Sequence, residues 1–422
     1  MMTRMRILVL ALLAGTLAVR AAAPVPGTAP APAAVPATAV ITPAAAADAA
    51  LDKAAAFLLA RQAADGSWMN TPAVTALDAY ALGVAPGRNR PEMQAAIRRG
   101  LDYVAGRAQP DGSIFNPEVR DYPSYSTAIC TVVLAQFNRS QDAAVIRAAR
   151  DYLLKTQFTD AAKDGLAYGG IGYGSGSRPD LSNTSWAFEA LHLTEHLDRE
   201  PFAKDPARAR EADLAWERAV KFLEQCQNLK PANRQAWVTD DPENKGGFVY
   251  KPVYGNMIGG EAGGPPPADD KKGPPPTGKP ERKPLAPHSY GSMTYAGVKS
   301  LIYAKLTPDD PRVQAAREWL RQHYTFDENP GMKDAGLYYY LLTGARALTV
   351  LGQDELTLPD GTKRRWRDDL TKSLVGRQKP DGSWSNRNNR WWEKMPELST
   401  GYSAMALATV LGRTPQAENK DK

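Results

Sequence analysis

The stretch that most constrains this chain is Arg377 to Trp384, Arg-Gln-Lys-Pro-Asp-Gly-Ser-Trp, because copies of it recur and divide the sequence into similar units. It reads as a helix end: Gln378 can both donate and accept through its amide, Asp381-Gly382 supplies a turn that tolerates positive φ, and Trp384 can fold back over neighbouring helix ends. The same order stands at Gln62, Asp65, Gly66 and Trp68, and a worn copy runs from Arg107 to Ile114. Further units keep an apolar helix and a terminal Gln at Gln157, Gln225 and Gln322. These six marks predict six repeats of roughly 45–60 residues each, so one repeat array is expected over residues 49–413 rather than several domains.

Each unit reads as a helical hairpin. From Leu51 the apolar residues Leu51, Ala54, Ala55 and Leu58 fall on one helical face. The second helices share small and apolar runs, such as Thr75 to Gly83, Thr343 to Gly352 and Tyr402 to Gly412. The pattern predicts twelve helices, an all-α fold, and no strand of consequence. Connections within a pair are long and most connections between pairs are short, so in a ring of antiparallel pairs the long loops would project from one rim. Residues 256–287, rich in Pro and Gly, and the tail 414–422 are expected to be disordered.

Residues 1–21 carry Arg4 and Arg6, an apolar run from Ile7 to Val19, and Val19-Arg20-Ala21 as a small-x-small site, which predicts a secretory signal and a periplasmic or extracellular mature protein without a membrane span. Residues 22–48, almost all Ala, Pro, Val and Thr, are expected to form a disordered linker. Arg4, Arg6 and Arg20 supply three of the formal +6, so the mature chain keeps only +3, and no basic run argues for nucleic acid. Cys130 and Cys226 are the two cysteines, too few for a disulfide framework, and both lie in apolar helical contexts.

Six helix pairs carrying Gln-x-x-Asp-Gly-Ser-Trp marks resemble the α/α toroid of the squalene cyclase and protein prenyltransferase superfamily. The resemblance implies inner helices surrounding a cavity for an isoprenoid, and it makes Gln62, Asp65, Gly66, Trp68, Gln378, Asp381, Gly382 and Trp384 structural. Cyclases of this family open an inner helix with Asp-x-Asp-Asp-Thr-Ala, whose central acid protonates the polyene; the nearest match here is Asp180-Leu181-Ser182-Asn183-Thr184-Ser185. Ser182 and Asn183 replace its acids and cannot protonate an alkene. Prenyltransferases hold zinc with Asp, Cys and His; His192 and His196 share a helical face, but no third ligand accompanies them, and neither metal nor cofactor is expected. The Gly-Cys-Gly-Glu-Gln motif of complement-like thioester domains is absent.

What remains is a concentration of aromatic and polar residues in the long loops and at the starts of the second helices. Tyr125, Tyr173, Tyr290, Tyr295, Tyr338 and Tyr339 are candidate ligand-binding residues. Trp391, Trp392 and Tyr402, with Asn183 and Thr184, complete the set. Aromatic faces with phenolic tips suit an isoprenoid or the apolar faces of sugar rings. The expected function is therefore binding of an apolar, polyprenyl-like ligand or a partner at an aromatic mouth, without the cyclase acid. Two alternatives stay open. One is a polysaccharide lyase or hydrolase, for which Asp180, Asp334 and Glu397 are the candidate acids; the other is a terpene cyclase or prenyltransferase with atypical catalytic residues.

Overall fold

The computed structural model describes residues 42–174, 176–252 and 287–415. The expected signal, residues 22–41 of the expected linker, 256–286 of the insertion and the tail from 416 lie outside them. The first helix already begins within the stretch read as linker. Thr42 caps it, its hydroxyl accepting from Ala45 N at 3.3 Å, and Pro43 occupies the first turn, where a missing N–H costs nothing.

The described residues are predominantly helical. The first members of the pairs are α1 (Pro43–Leu59), α3 (Pro91–Gly106), α5 (Ala143–Thr156), α8 (Pro206–Cys226), α10 (Pro311–Gln322) and α12 (Trp366–Arg377). Their partners are α2 (Pro72–Val84), α4 (Pro123–Phe137), α7 (Leu181–Leu193), α9 (Gly291–Tyr303), α11 (Leu337–Val350) and α13 (Pro396–Val410). A single turn, α6 (Ala161–Asp164), lies in the third long loop. Beside the helices, β1 (Glu355–Thr357) and β2 (Lys363–Arg365) form a short antiparallel hairpin between the last two pairs, around an Asp360-Gly361 turn. Only Leu356 of its six residues is buried, so no alternating apolar pattern announced it.

The two helix sets are buried differently. In α10 only Val313, Ala316, Trp319 and Leu320 are buried, a one-sided stripe. In α2 all thirteen residues are buried, which only a helix surrounded by protein can tolerate. Packing gives the reason: α2 packs on α4, α4 on α7, α7 on α9, α9 on α11, α11 on α13, and α13 returns to α2. The first members lie against these six, and α1 also packs on α12.

The repeat marks make the joints. Gln62 Nε2 donates to Gly66 O at 3.0 Å within its own loop and to Ala96 O of α3 at 2.8 Å, so one amide fastens a hairpin to the next outer helix. Gln157 reaches Ala215 O of α8, and Gln227 reaches Arg312 O of α10. Gln378 reaches Ala50 O of α1 at 2.8 Å and so ties the last hairpin to the first. The fourth mark is thus Gln227 rather than Gln225, and Gln322 turns instead to Glu318. Asp65 and Asp381 each accept from the backbone and hydroxyl of the Ser two residues on, while Trp68 and Trp384 donate their indole N–H to Leu58 O and Leu374 O. A further mark recurs on the inner helices: the hydroxyls of Thr75, Thr127, Thr184, Thr294 and Thr400 accept from the backbone of Trp68, Ile114, Ile171, Phe248 and Trp384.

Candidate functional site

Because five of the six long loops are pinned by a threonine near the start of their inner helix, the loop residues gather where those helices begin. There they enclose a cavity of about 380 Å³. Met69 comes from the first loop, Val119 and Tyr122 from the second, Tyr173 from the third, Tyr250 and Tyr290 from the fourth, and Trp391, Trp392, Glu393 and Met395 from the last. The inner helices add Val74, Tyr125, Ser182, Met293, Tyr339, Leu398 and Tyr402. The rings contact one another across loops: Tyr122 lies 4.7 Å from Tyr173 between centroids, and Trp392 stacks on Tyr122 at 6.0 Å.

Two wall segments hold bulky residues in left-handed backbone, Met69 at φ 57° with Asn70 at 53°, and Trp391 at 55° with Trp392 at 64°. Each such residue costs on the order of 1–2 kcal/mol, so the surroundings must impose it. For Asn70 they do so through Tyr103 Oη and Asn116 Nδ2, which both donate to its side-chain oxygen. Trp391 packs over Gly336, where a Cβ would lie 2.9 Å from the indole ring.

Six of the wall's hydroxyls are paired with one another. Tyr173 and Tyr250 hydrogen-bond at 2.8 Å, Tyr125 and Tyr402 at 3.1 Å, and Ser182 donates to Tyr339 Oη at 3.2 Å. Burial raises these phenols, Tyr125 to about 12, so they remain protonated. Two carboxyls touch the cavity. Asp121 accepts from Asn116 N and Tyr122 N, and burial raises its pKa. Glu393 accepts from Tyr339 N and Asn386 Nδ2, both at 2.8 Å, and so caps α11, whose own N-cap is Gly336. Burial lifts Glu393 to about 7. An acid beside Trp391-Trp392 was the one sequence signal for it.

Of the residues expected at a ligand site, Tyr125, Tyr173, Tyr290, Tyr339, Trp391, Trp392 and Tyr402 line this cavity. Tyr295 packs on Tyr340 in the core, Tyr338 reaches Ser385 O, and Thr184 clamps Ile171 as one of the five recurring threonines. The three candidate acids do not meet. Asp180 caps α7 and also accepts from Asn183 Nδ2 at 2.7 Å, Asp334 is exposed and accepts from Asn388, and Glu397 pairs with Arg61. His192 stacks on Tyr303, and His196 packs edge-on against Phe202.

Two turns further along the same inner helices, Glu189 sits between Lys299 and Arg346, all three buried, and both cations lie over the Trp186 ring. Burial pushes Glu189 up, but the two cations outweigh it and hold the carboxyl below its usual range. Asp78, on α2 opposite Gly401 of α13, is buried with neither oxygen hydrogen-bonded, and burial pushes it well above the usual range.

No family description and no curated protein matches this chain. Among solved structures it is similar to the product-bound type II terpene cyclase MstE from Scytonema, at 12% identity and a TM-score of 0.49 over 87% of this chain and 97% of that one. Substrate-bound MstE, with geranylgeranyl dihydroxybenzoate, gives 11% identity and a TM-score of 0.43 over 87% and 97%. A protein from Actinoplanes gives 16% and 0.42 over 86% and 99%.

Proposed function

We propose that this chain is an exported α/α toroid of six hairpins that binds an apolar, polyprenyl-like ligand in its aromatic cavity and leaves the ligand chemically unchanged. The observation that carries the reading is the cavity itself. It draws rings and apolar side chains from all six hairpins, and six of its hydroxyls are paired with one another. Such a surface rewards burial of an apolar ligand, at about 25 cal/mol per Å² removed from water. The support for the toroid is the return of α13 to α2 and of Gln378 to α1. The test is organic extraction and mass spectrometry of ligands that co-purify with the full-length chain, beside incubation with squalene. A bound isoprenoid and no cyclic product are expected. A protein that carries no apolar molecule and takes none up rejects the reading.

A second reading, an acid-initiated cyclase with unusual residues, draws support from Glu393, a buried carboxyl on the cavity wall that is half protonated near neutrality. Against it, both Glu393 oxygens already accept hydrogen bonds, and the start of α11 favours the ionised form. Cyclisation lost on Glu393→Gln would establish this second reading.

A further inference from the structure

Among the described residues the exposed large apolar side chains are Met69, Phe202 and Met395, and two of these stand at the mouth of the cavity. Met69 is 39% and Met395 36% exposed although both line the cavity, so each has one side on the ligand space and the other in water. They come from the first and the last loop, on either side of the closing seam between α2 and α13. The backbone holds them there at a cost. Met69 at φ 57° and Asn70 at 53° are left-handed, with Asn70 pinned by Tyr103 Oη and Asn116 Nδ2. Trp391 at 55° and Trp392 at 64° repeat the pattern, and both indoles are only half-buried. Strain of this kind is unfavourable for any residue with a Cβ, and within this chain the exposed Met69 side chain offsets little of it by burial. The strained loops instead present apolar side chains outward, to something that covers them.

The charges around the mouth indicate what does so. Arg390 lies over the Trp391 ring at 4.6 Å, and Arg120, on the lining itself, lies over Tyr122 at 5.9 Å. Lys394 is exposed between Glu393 and Met395. The two acids on the wall are bound to donors of the wall: Asp121 accepts from Asn116 N and Tyr122 N, and Glu393 from Tyr339 N and Asn386 Nδ2. Exposed methionines beside half-buried indoles, with basic side chains over the rings, suit the boundary of a bilayer. Rings settle there at headgroup level, apolar chains enter the acyl edge and basic heads reach the phosphates. A sugar would use the rings and leave both methionines in water.

We propose that the mouth of the cavity docks on an anionic lipid bilayer. Met69, Met395, Trp391 and Trp392 enter the acyl edge, and Arg120, Arg390 and Lys394 meet the lipid phosphates. No described helix is long and apolar enough to cross a membrane, and the docking lies at the surface. The proposal goes beyond the ligand reading and stands without it, but the two fit together: an apolar molecule passes between bilayer and cavity without crossing water.

Flotation of the full chain with vesicles tests it, using phosphatidylcholine alone and equal parts of phosphatidylcholine and phosphatidylglycerol. The unmodified protein should float with the anionic vesicles, and 1 M salt, where the Debye length is about 3 Å, should remove the preference for them. Each basic residue at an anionic surface adds about fivefold to binding, so Arg390→Glu with Lys394→Glu should weaken it at least about 25-fold. Met69→Glu with Met395→Glu should bring it to background, and Phe202→Glu, the exposed control, should leave it unchanged. Brominated lipid should quench the indole fluorescence of the unmodified chain, and Trp391→Phe with Trp392→Phe should remove most of that quenching. Absence of binding to the anionic vesicles, or binding undiminished in both the methionine and the charge pair, overturns the proposal; the first result leaves the face to a protein partner. Uptake of farnesol in the absence of vesicles tests the ligand reading separately: uptake without flotation rejects docking alone, and flotation without uptake rejects ligand binding alone.

Discussion

Replacing Gly382 by Ala should loosen the joint between the last hairpin and the first. Gly382 has φ 90°, and a Cβ there would lie 2.3 Å from Lys53 O of α1. Ordinary carbon contacts begin near 3.5 Å, so the loop after α12 must retreat from α1 by about an ångström. The left-handed backbone alone costs about 1–2 kcal/mol for Ala. The retreat also stretches the bond from Gln378 to Ala50 O, worth about 1 kcal/mol. A loss of about 2–4 kcal/mol is expected in urea unfolding. Gly376→Ala is the control, since Gly376 lies inside α12 with nothing within 4 Å of its Cβ position and should gain about 0.5–1 kcal/mol from helix propensity. If the two variants unfold together, the close approach of the Gly turn to the neighbouring helix does not hold the last hairpin to the first.

Trp68→Ala and Trp384→Ala should each cost about 3–5 kcal/mol in the same assay, because both indoles are fully buried and each gives up a hydrogen bond to a helix end; unchanged midpoints would count against their role as staples. Glu189→Gln strands Lys299 and Arg346 and should cost about 3–5 kcal/mol, whereas a neutral result would mean that water already reaches the triad. Glu393 has its folded pKa raised from 4.5 to about 7, so its contribution is fully present below the unfolded value and is lost as pH rises through about 7, a loss of about 3 kcal/mol. Unfolding free energies from pH 5 to 8 should therefore fall less steeply for Glu393→Gln than for the unmodified chain, and parallel curves would refute the shift.

What the sequence disclosed was what the chain does locally. The Asp-Gly-Ser turn and the Gln that closes it act over a few residues, so Gln62 and Gln378 could be read from their spacing, and the six hairpins followed. The recurring threonines were just as regular but escaped notice, because a hydroxyl one turn into a helix looks like a cap until the loop it grips is known. Tyr295 and Thr184 show the limit at the cavity: composition placed them near the mouth, but which side of an inner helix faces inward depends on neighbours contributed by other hairpins. Glu393 escaped for the same reason. Its environment comes from α11, some fifty residues upstream in the chain.

The buried triad bears on chemistry as well as stability. Ser182, Ser292 and Tyr339 line the cavity, and two turns further on the same three helices carry Glu189, Lys299 and Arg346. Two cations facing one carboxylate leave an excess of positive charge, reduced only where burial depresses Lys299. A cyclisation through carbocations needs the opposite beneath its substrate, since positive charge develops along the ligand and is repelled by buried cations that little solvent screens. A bound neutral ligand is indifferent to that field. The arrangement agrees with the proposed reading, in which the cavity holds an apolar molecule without rearranging it, and it does so independently of the serine and asparagine that stand at the start of α7.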